Sequence, residues 1–317
     1  GVEEFACGYA PPGDRVCAYL SENDVRTEFM GYDWNLNSQA PENFTPSERQ
    51  LTEAQAAALL LAVLESDAGP GLPGADFECV DNCYSAADFA AINRPWNAVL
   101  GRHVAEGTIG GVAVAAVDYA SIDISPQGDL ARYTTALAEM DMSRVPESEA
   151  IALLLNAYNA FTVDLIARNL DGLTSILQLS TQPEPETTWT TRTFTLGGTD
   201  VTLDEIEHGT IRRRYNEPRI HAAVNCASVS CPDLRLEAYT GTALDQQLDE
   251  QTELWMGSPG KGLRLDRSAN VLYLSRLFDW YGSDFIPPGV EEFACGYAPP
   301  GDRVCAYLSE NDVRTEF

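Results

Sequence analysis

ESEAIALLLNAYNAFTVDLIARN, residues Glu147 to Asn169, is the stretch whose pattern decides the fold. Ile151, Leu154, Leu155, Tyr158, Leu165 and Ile166 recur at the 3.6-residue period of a helix, and alanine and leucine fill much of the rest. Pro146 precedes the first turn, where its fixed φ and missing N–H cost nothing. A helix apolar almost all round belongs at the centre of a packed domain. Asn156 and Asn159 stand out inside it, because a buried amide without partners costs about 1–3 kcal/mol. They either tie down neighbouring backbone or line a binding site.

The elements around this helix are short and mixed. Thr193 to Thr202 alternates about Gly197-Gly198, the dipeptide of a tight hairpin turn. Leu203 to Arg214 reads as a helix, Arg219 to Val224 as a strand, and Leu244 to Met256 as a helix. Leu263 to Leu274 reads as a second hairpin, turning near Asp266 to Asn270. On the N-terminal side, Pro95 opens a helix over Trp96 to Glu106, with Trp96, Val99, Leu100 and Val104 at helical spacing. Gly110 to Tyr119 is a valine- and alanine-rich run that suits a buried strand or a packed turn. Earlier still, Ala86 to Ile92 is helical, and Thr52 with Gln55 makes a capping-box signature before a helix over Glu53 to Glu65. The run Ala40 to Pro46 has a linker's composition. Hairpins and helices without a regular βαβ rhythm predict an α+β fold, a buried central helix packed with hairpins and shorter helices.

Chemistry concentrates in Thr202 to Cys231, TLDEIEHGTIRRRYNEPRIHAAVNCASVSC. One reading makes Cys226 a nucleophile, with His208 or His221 as base and Glu207 or an asparagine of the central helix as orienter. A thiol in hydrogen-bond reach of a histidine yields thiolate near neutral pH, which suits acyl transfer on amides or esters. The other reading closes Cys226 and Cys231 into a six-residue ring, which removes the nucleophile. Arg212 and Arg213, with Arg214, either hold an anionic group or neutralise nearby carboxylates. His103, alone on its helix, reads as a surface or satisfied core histidine.

The chain carries 48 acidic against 20 basic residues, a formal charge of −28, and Lys261 is its single lysine. Such a surface repels nucleic acid and anionic lipid. The eight cysteines fall into close pairs: Cys7 with Cys17, Cys79 with Cys83, Cys226 with Cys231, and Cys295 with Cys305. Close pairing favours disulfides and an oxidising compartment, extracellular or periplasmic. Zinc is disfavoured, since no pair is spaced C-x-x-C and the histidines are few and scattered. Neither a metal nor a cofactor is expected. The apolar run Ala56 to Leu64 is too short to span a bilayer, and a secreted protein is expected here in mature form.

GVEEFACGYAPPGDRVCAYLSENDVRTEF occurs twice without a change, as Gly1 to Phe29 and as Gly289 to Phe317. Identity this complete reads as a recent or engineered duplication, or as a window onto a tandem array with a 288-residue period. One domain offers one seat for such a tail, so one copy is surplus in cis and is expected to dock on another subunit. Phe5, Val16, Tyr19, Leu20 and Phe29 supply its apolar face.

LLLNAYNAFTVDLI (Leu153 to Ile166), DEIEHGTIR (Asp204 to Arg212), RIHAAVNCASVSCPDL (Arg219 to Leu234), LDQQL (Leu244 to Leu248) and YLSRLFDWYGSDF (Tyr273 to Phe285) together resemble the domain of unknown function 547 family. The resemblance covers Trp96 to the C-terminus. It implies no settled activity, and a suspected papain- or transglutaminase-like relationship fits the Cys226 constellation. In that family a motif like YDWNLN closes the domain, whereas here Tyr32 to Asn37 comes first. The expected organisation is therefore a displaced tail (1–38), a linker with a helical extension (39–95), a core domain (96–288) and the second tail (289–317). The expected function is self-association through the tail, lost on deleting Gly1 to Ser38. The alternative is a cysteine-dependent hydrolase or acyltransferase.

Overall fold

The computed structural model describes residues 36–37, 72, 76–180, 188–311 and 313–317. The linker over Ala40 to Pro46, the helix expected over Glu53 to Glu65, and the Cys7 and Cys17 pair lie outside them. The described chain divides into two compact units, one ending at Thr252 and the other running from Glu253 to Phe317.

The first unit begins with helix α1 (Ala86–Ile92), whose N-terminus is closed by a reciprocal capping box between Ser85 and Asp88. Helix α2 (Arg94–His103) has a proline in its first turn and buries Trp96, Val99 and Leu100. The expected helix to Glu106 stops short, because Val104 to Ile109 is strand β1, paired antiparallel with β2 (Val112–Val117). Gly110 and Gly111 turn the hairpin at φ of 58° and 88°, a conformation that disfavours other residues. The apolar run after Gly110 is thus the inner strand of a hairpin. Helix α3 (Asp129–Ala138) follows, its Leu130, Tyr133 and Leu137 buried.

Helix α4 (Glu147–Arg168) is the centre of this unit. By length and composition it could cross a membrane, but 89% of its most apolar window is buried inside the fold. A helix with apolar residues on every side needs such a jacket. Phe161 stacks on Phe194 of strand β3 (Thr193–Leu196), which pairs with β4 (Thr199–Thr202). At the hairpin tip Gly197 and Gly198 have positive φ and donate to Leu137 O and Ala138 O. A side chain at Gly197 would run into Met142.

Thr202 and Glu205 form a capping box for α5 (Leu203–Ile206), which widens into a π-helical turn over Glu207–Ile211. The segment read as a strand from Arg219 to Val224 is instead a short helix, α6 (Ile220–Ala223). Pro218 starts the turn, its carbonyl accepting from His221 N, and Val224 N donates back to Ile220 O. Burial of Ile220, His221, Ala222 and Ala223 on all sides hides the helical period that would have identified it.

The second unit follows the start of helix α7 (Leu244–Met256). Strands β5 (Leu263–Asp266) and β6 (Val271–Leu274) form the expected hairpin, and β7 (Arg314–Glu316) adds parallel to β6. Helix α8 (Arg276–Trp280) leads to the repeated tail, which contains α9 (Val290–Gly296) and α10 (Val304–Glu310), joined by the Cys295–Cys305 disulfide. Helices enclosing small hairpins make the chain α+β.

Candidate functional site

The two asparagines of α4 meet backbone. Asn156 donates to Tyr239 O at 2.8 Å and accepts from Tyr239 N at 2.9 Å, so its amide pairs with a peptide group as a neighbouring strand would. Asn159 donates to Ala223 O at 2.9 Å and accepts from Asn225 N at 2.9 Å. Asn225 then holds the loop after α6 from within, donating to Pro232 O at 2.8 Å and accepting from Ala227 N at 2.9 Å. Nothing in the sequence singled out Asn225. Its role depends on the chain doubling back, which a local pattern does not encode.

That loop carries Cys226 and Cys231, which are joined as a disulfide. Cys226 N donates to the Cys231 sulfur at 3.1 Å, and Cys231 N donates to Ser228 O at 3.2 Å. A cystine has no thiolate, so in this oxidised form the loop has no cysteine nucleophile. The other two described pairs, Cys79–Cys83 and Cys295–Cys305, are also bridged.

The carboxylate and histidine residues gather on the π turn and α6. His221, 1% exposed, has Nδ1 3.9 Å from Glu207 Oε1, beyond hydrogen-bond range but close enough to pair when the ring is charged. His208 is arranged differently. Arg212 donates to its Nδ1 at 2.9 Å, and a guanidinium is always a donor, so the neutral ring carries its proton on Nε2. That Nε2 lies 3.9 Å from Asp204, whose carboxyl is pushed up chiefly by burial and by the neighbouring Glu207 and Glu205, against His208 and Arg212. Arg213 is exposed, while Arg214 pairs with Glu147 at 2.9 Å and also donates to Asp76 O. His103 sits beside a cleft lined by Arg102, Asp123, Gln127 and Asp129, with Nδ1 2.7 Å from Ser121 Oγ. Among the described residues, no three His, Cys, Asp or Glu side chains are grouped to hold a metal ion.

A strap from far upstream closes the loop. Leu36 bridges to Ser228 and donates to Thr174 O at 3.0 Å. Asn37 N donates to Ala227 O at 3.3 Å, and Asn37 O accepts from Val117 N at 2.7 Å. The Asn37 side-chain oxygen accepts from the buried Tyr119 hydroxyl at 2.7 Å. Leu36 is 4% exposed and Asn37 2%. The end of YDWNLN therefore belongs to the first unit's core.

Residues 142–256, which include the central helix, the π turn and the bridged loop, match the family described as protein of unknown function, DUF547. This part of the chain is similar to that family. The matched range is narrower than the resemblance from Trp96 onward. The DUF547 segment contains Asn156, Asn159, Glu207, His208, Arg212, Arg213, His221, Cys226 and Cys231, whereas the strap, Tyr119 and both tail copies lie outside it. No curated protein and no solved structure matches the chain.

Proposed function

We propose that the chain is a subunit of a self-associating assembly, working in an extracellular or periplasmic compartment and joined through its repeated tail. One observation carries the reading. Residues 1–29 and 289–317 are one sequence, and the second copy is seated on its own unit, with Phe293 against Phe285 at 4.8 Å and β7 on β6. Each chain thus carries two sequences competent for one seat. Copy 1–29 of one chain competes for the seat that copy 289–317 holds on another, and contacts of that kind close into rings or extend into filaments. The attached copy has the advantage of effective concentration, so exchange rises with protein concentration.

The three disulfides among the described residues point to an oxidising environment, in keeping with that location. The net charge of −28 argues against nucleic acid and anionic lipid as partners, and no membrane insertion is proposed. The alternative, thiol-dependent acyl transfer at Cys226, is favoured by the buried Glu207–His221 pair and requires the Cys226–Cys231 bridge to be reduced.

Light scattering behind size-exclusion chromatography tests the assembly. The mass of the full chain should rise with concentration, and a chain lacking residues 1–29 should stay monomeric. The deletion must stop there, because Leu36 and Asn37 are core residues of the first unit. A full chain monomeric up to about 100 μM, well above the range of a specific micromolar contact, sinks the reading. Alkylation of the native protein without reductant tests the alternative. Labelling confined to Cys226 and Cys231 would favour the enzyme.

A further inference from the structure

The loop that carries Cys226 and Cys231 keeps its shape by means other than the bridge. Asn225 donates to Pro232 O at 2.8 Å, which ties the residue before the pair to the residue after it, and accepts from Ala227 N at 2.9 Å. Asn159 accepts from Asn225 N at 2.9 Å, Cys231 N donates to Ser228 O at 3.2 Å, and the strap bonds Ala227 O and bridges to Ser228. Both asparagines are buried, so these bonds are sheltered from water. A disulfide stabilises by restricting the unfolded chain and gains less the shorter its loop. The two cysteines are only five residues apart, whereas Cys295 and Cys305 are ten apart and join two helices. As a staple the 226–231 bridge has little to add.

The two halves of the bridge are also unlike. Cys231 is 2% exposed, while Cys226 is partly open to solvent. The Cys226 N–H donates to the Cys231 sulfur at 3.1 Å. Exchange depends on which sulfur can be reached and on how well the departing thiolate is stabilised. A hydrogen bond to the charged form of a group favours that form, so the N–H makes Cys231 the better leaving sulfur. An incoming thiolate is thus directed to Cys226.

We propose that Cys226 and Cys231 form a thiol–disulfide exchange site that passes its disulfide to substrates carrying two thiols. In the first step a substrate thiolate bonds to Cys226 Sγ, the bond to Cys231 breaks, and Cys231 Sγ departs with the electron pair as a thiolate. In the second, the other substrate thiol gives up its proton and attacks its partner sulfur in the mixed disulfide. Cys226 Sγ then leaves with the electron pair. The substrate loses two electrons and two protons, and the bridge gains them as two thiols. A second, disulfide-bearing molecule restores the bridge by the same steps in reverse, so a cycle moves one disulfide and consumes no other oxidant. The net charge of −28 favours neutral or basic thiol substrates over acidic ones.

The test mixes the oxidised full chain with a reduced, uncharged peptide carrying two cysteines, followed by acid quenching, alkylation and mass mapping. One peptide should be oxidised for each pair opened, with alkylation appearing on Cys226 and Cys231. The Cys295–Cys305 bridge should open at least about tenfold more slowly, and a peptide with a single cysteine should accumulate on Cys226 over Cys231 by at least about tenfold. In the reduced chain, hydrogen exchange at the amides of Asn225 and Ala227 should stay within about threefold of the oxidised chain. Opening no faster than at Cys295–Cys305, or adducts on Cys231 as often as on Cys226, overturns the proposal. Amides that exchange at the rate of an unfolded loop after reduction would make the bridge a staple, and overturn it too.

Discussion

The strap and the tail copy are both short segments laid onto a folded unit, and they are held in opposite ways. The strap has two described residues, both almost wholly buried, with backbone hydrogen bonds on either side and one side-chain bond to Tyr119. The tail copy spans 289–317, yet among its described side chains only Phe293, Ala294, Val304 and Thr315 are buried. Its main anchor is Phe293, in an aromatic cluster with Phe278 and Phe285. Tyr307 reaches Asn270 at 3.2 Å, and Thr315 bonds Glu291 within the tail itself. The strap is fixed by backbone hydrogen bonds, one side-chain bond and the burial of Leu36, whereas the tail rests on an apolar anchor with a loosely covered remainder. That difference suits the tail exchange proposed above.

The largest effect should come from Phe293→Ala, which removes the anchor and opens a cavity in the second unit. A loss of about 3–4 kcal/mol is expected in denaturant unfolding of that unit. A loss below about 1 kcal/mol would mean the tail is held by its surface contacts, and the contrast with the strap would collapse. Next is Asn159→Ala in the DUF547 segment, which strips Ala223 O and Asn225 N of their partner and slackens the loop beneath the strap. It should cost about 2–3 kcal/mol in the first unit and raise amide exchange at Asn37 and Val117. Unchanged exchange at those amides would uncouple the strap from the loop.

The smallest effect is electrostatic. The strap's polar groups do not titrate near neutral pH, since Asn37 is an amide and burial pushes Tyr119 far up. The second unit holds Asp279, whose carboxyl burial raises above its ordinary 3.8 although Arg276 draws it down. A carboxyl raised in the folded state binds its proton to higher pH than the unfolded chain does. The unit therefore loses stability as pH rises from about the unfolded value through the folded one. Asp279→Asn should flatten that decline in the second unit and leave the first unchanged. An equal decline in the variant would assign it to another group.

Much of the fold was legible because it rests on local chemistry. The central helix from Glu147, the helix Leu244 to Met256, and the hairpins about Gly197-Gly198 and Asp266 to Asn270 follow from period and turn residues. The β1–β2 hairpin was half visible: the valine and alanine run marked β2, but the helical spacing up to Val104 concealed where β1 begins. Helix α6 was misread because His221 and its neighbours are buried all round, leaving no face to give a period. Of the candidate site, the residue types were legible, but not their partners. Asn156 and Asn159 pair with backbone more than sixty residues away, and Arg212 reserves the ring nitrogen that His208 would need to act as a base.

By itself the sequence determined the repeat of residues 1–29 at 289–317, the acidity, the cysteine pairs and the α+β class, since identity, charge and period are properties of the chain in order. Tertiary structure decided the rest. It put Leu36 and Asn37 against a loop nearly two hundred residues downstream, gave Asn225 its role and set Glu207 beside His221. Contacts of that kind depend on which surfaces meet when the chain folds back, and short-range pattern carries no record of them.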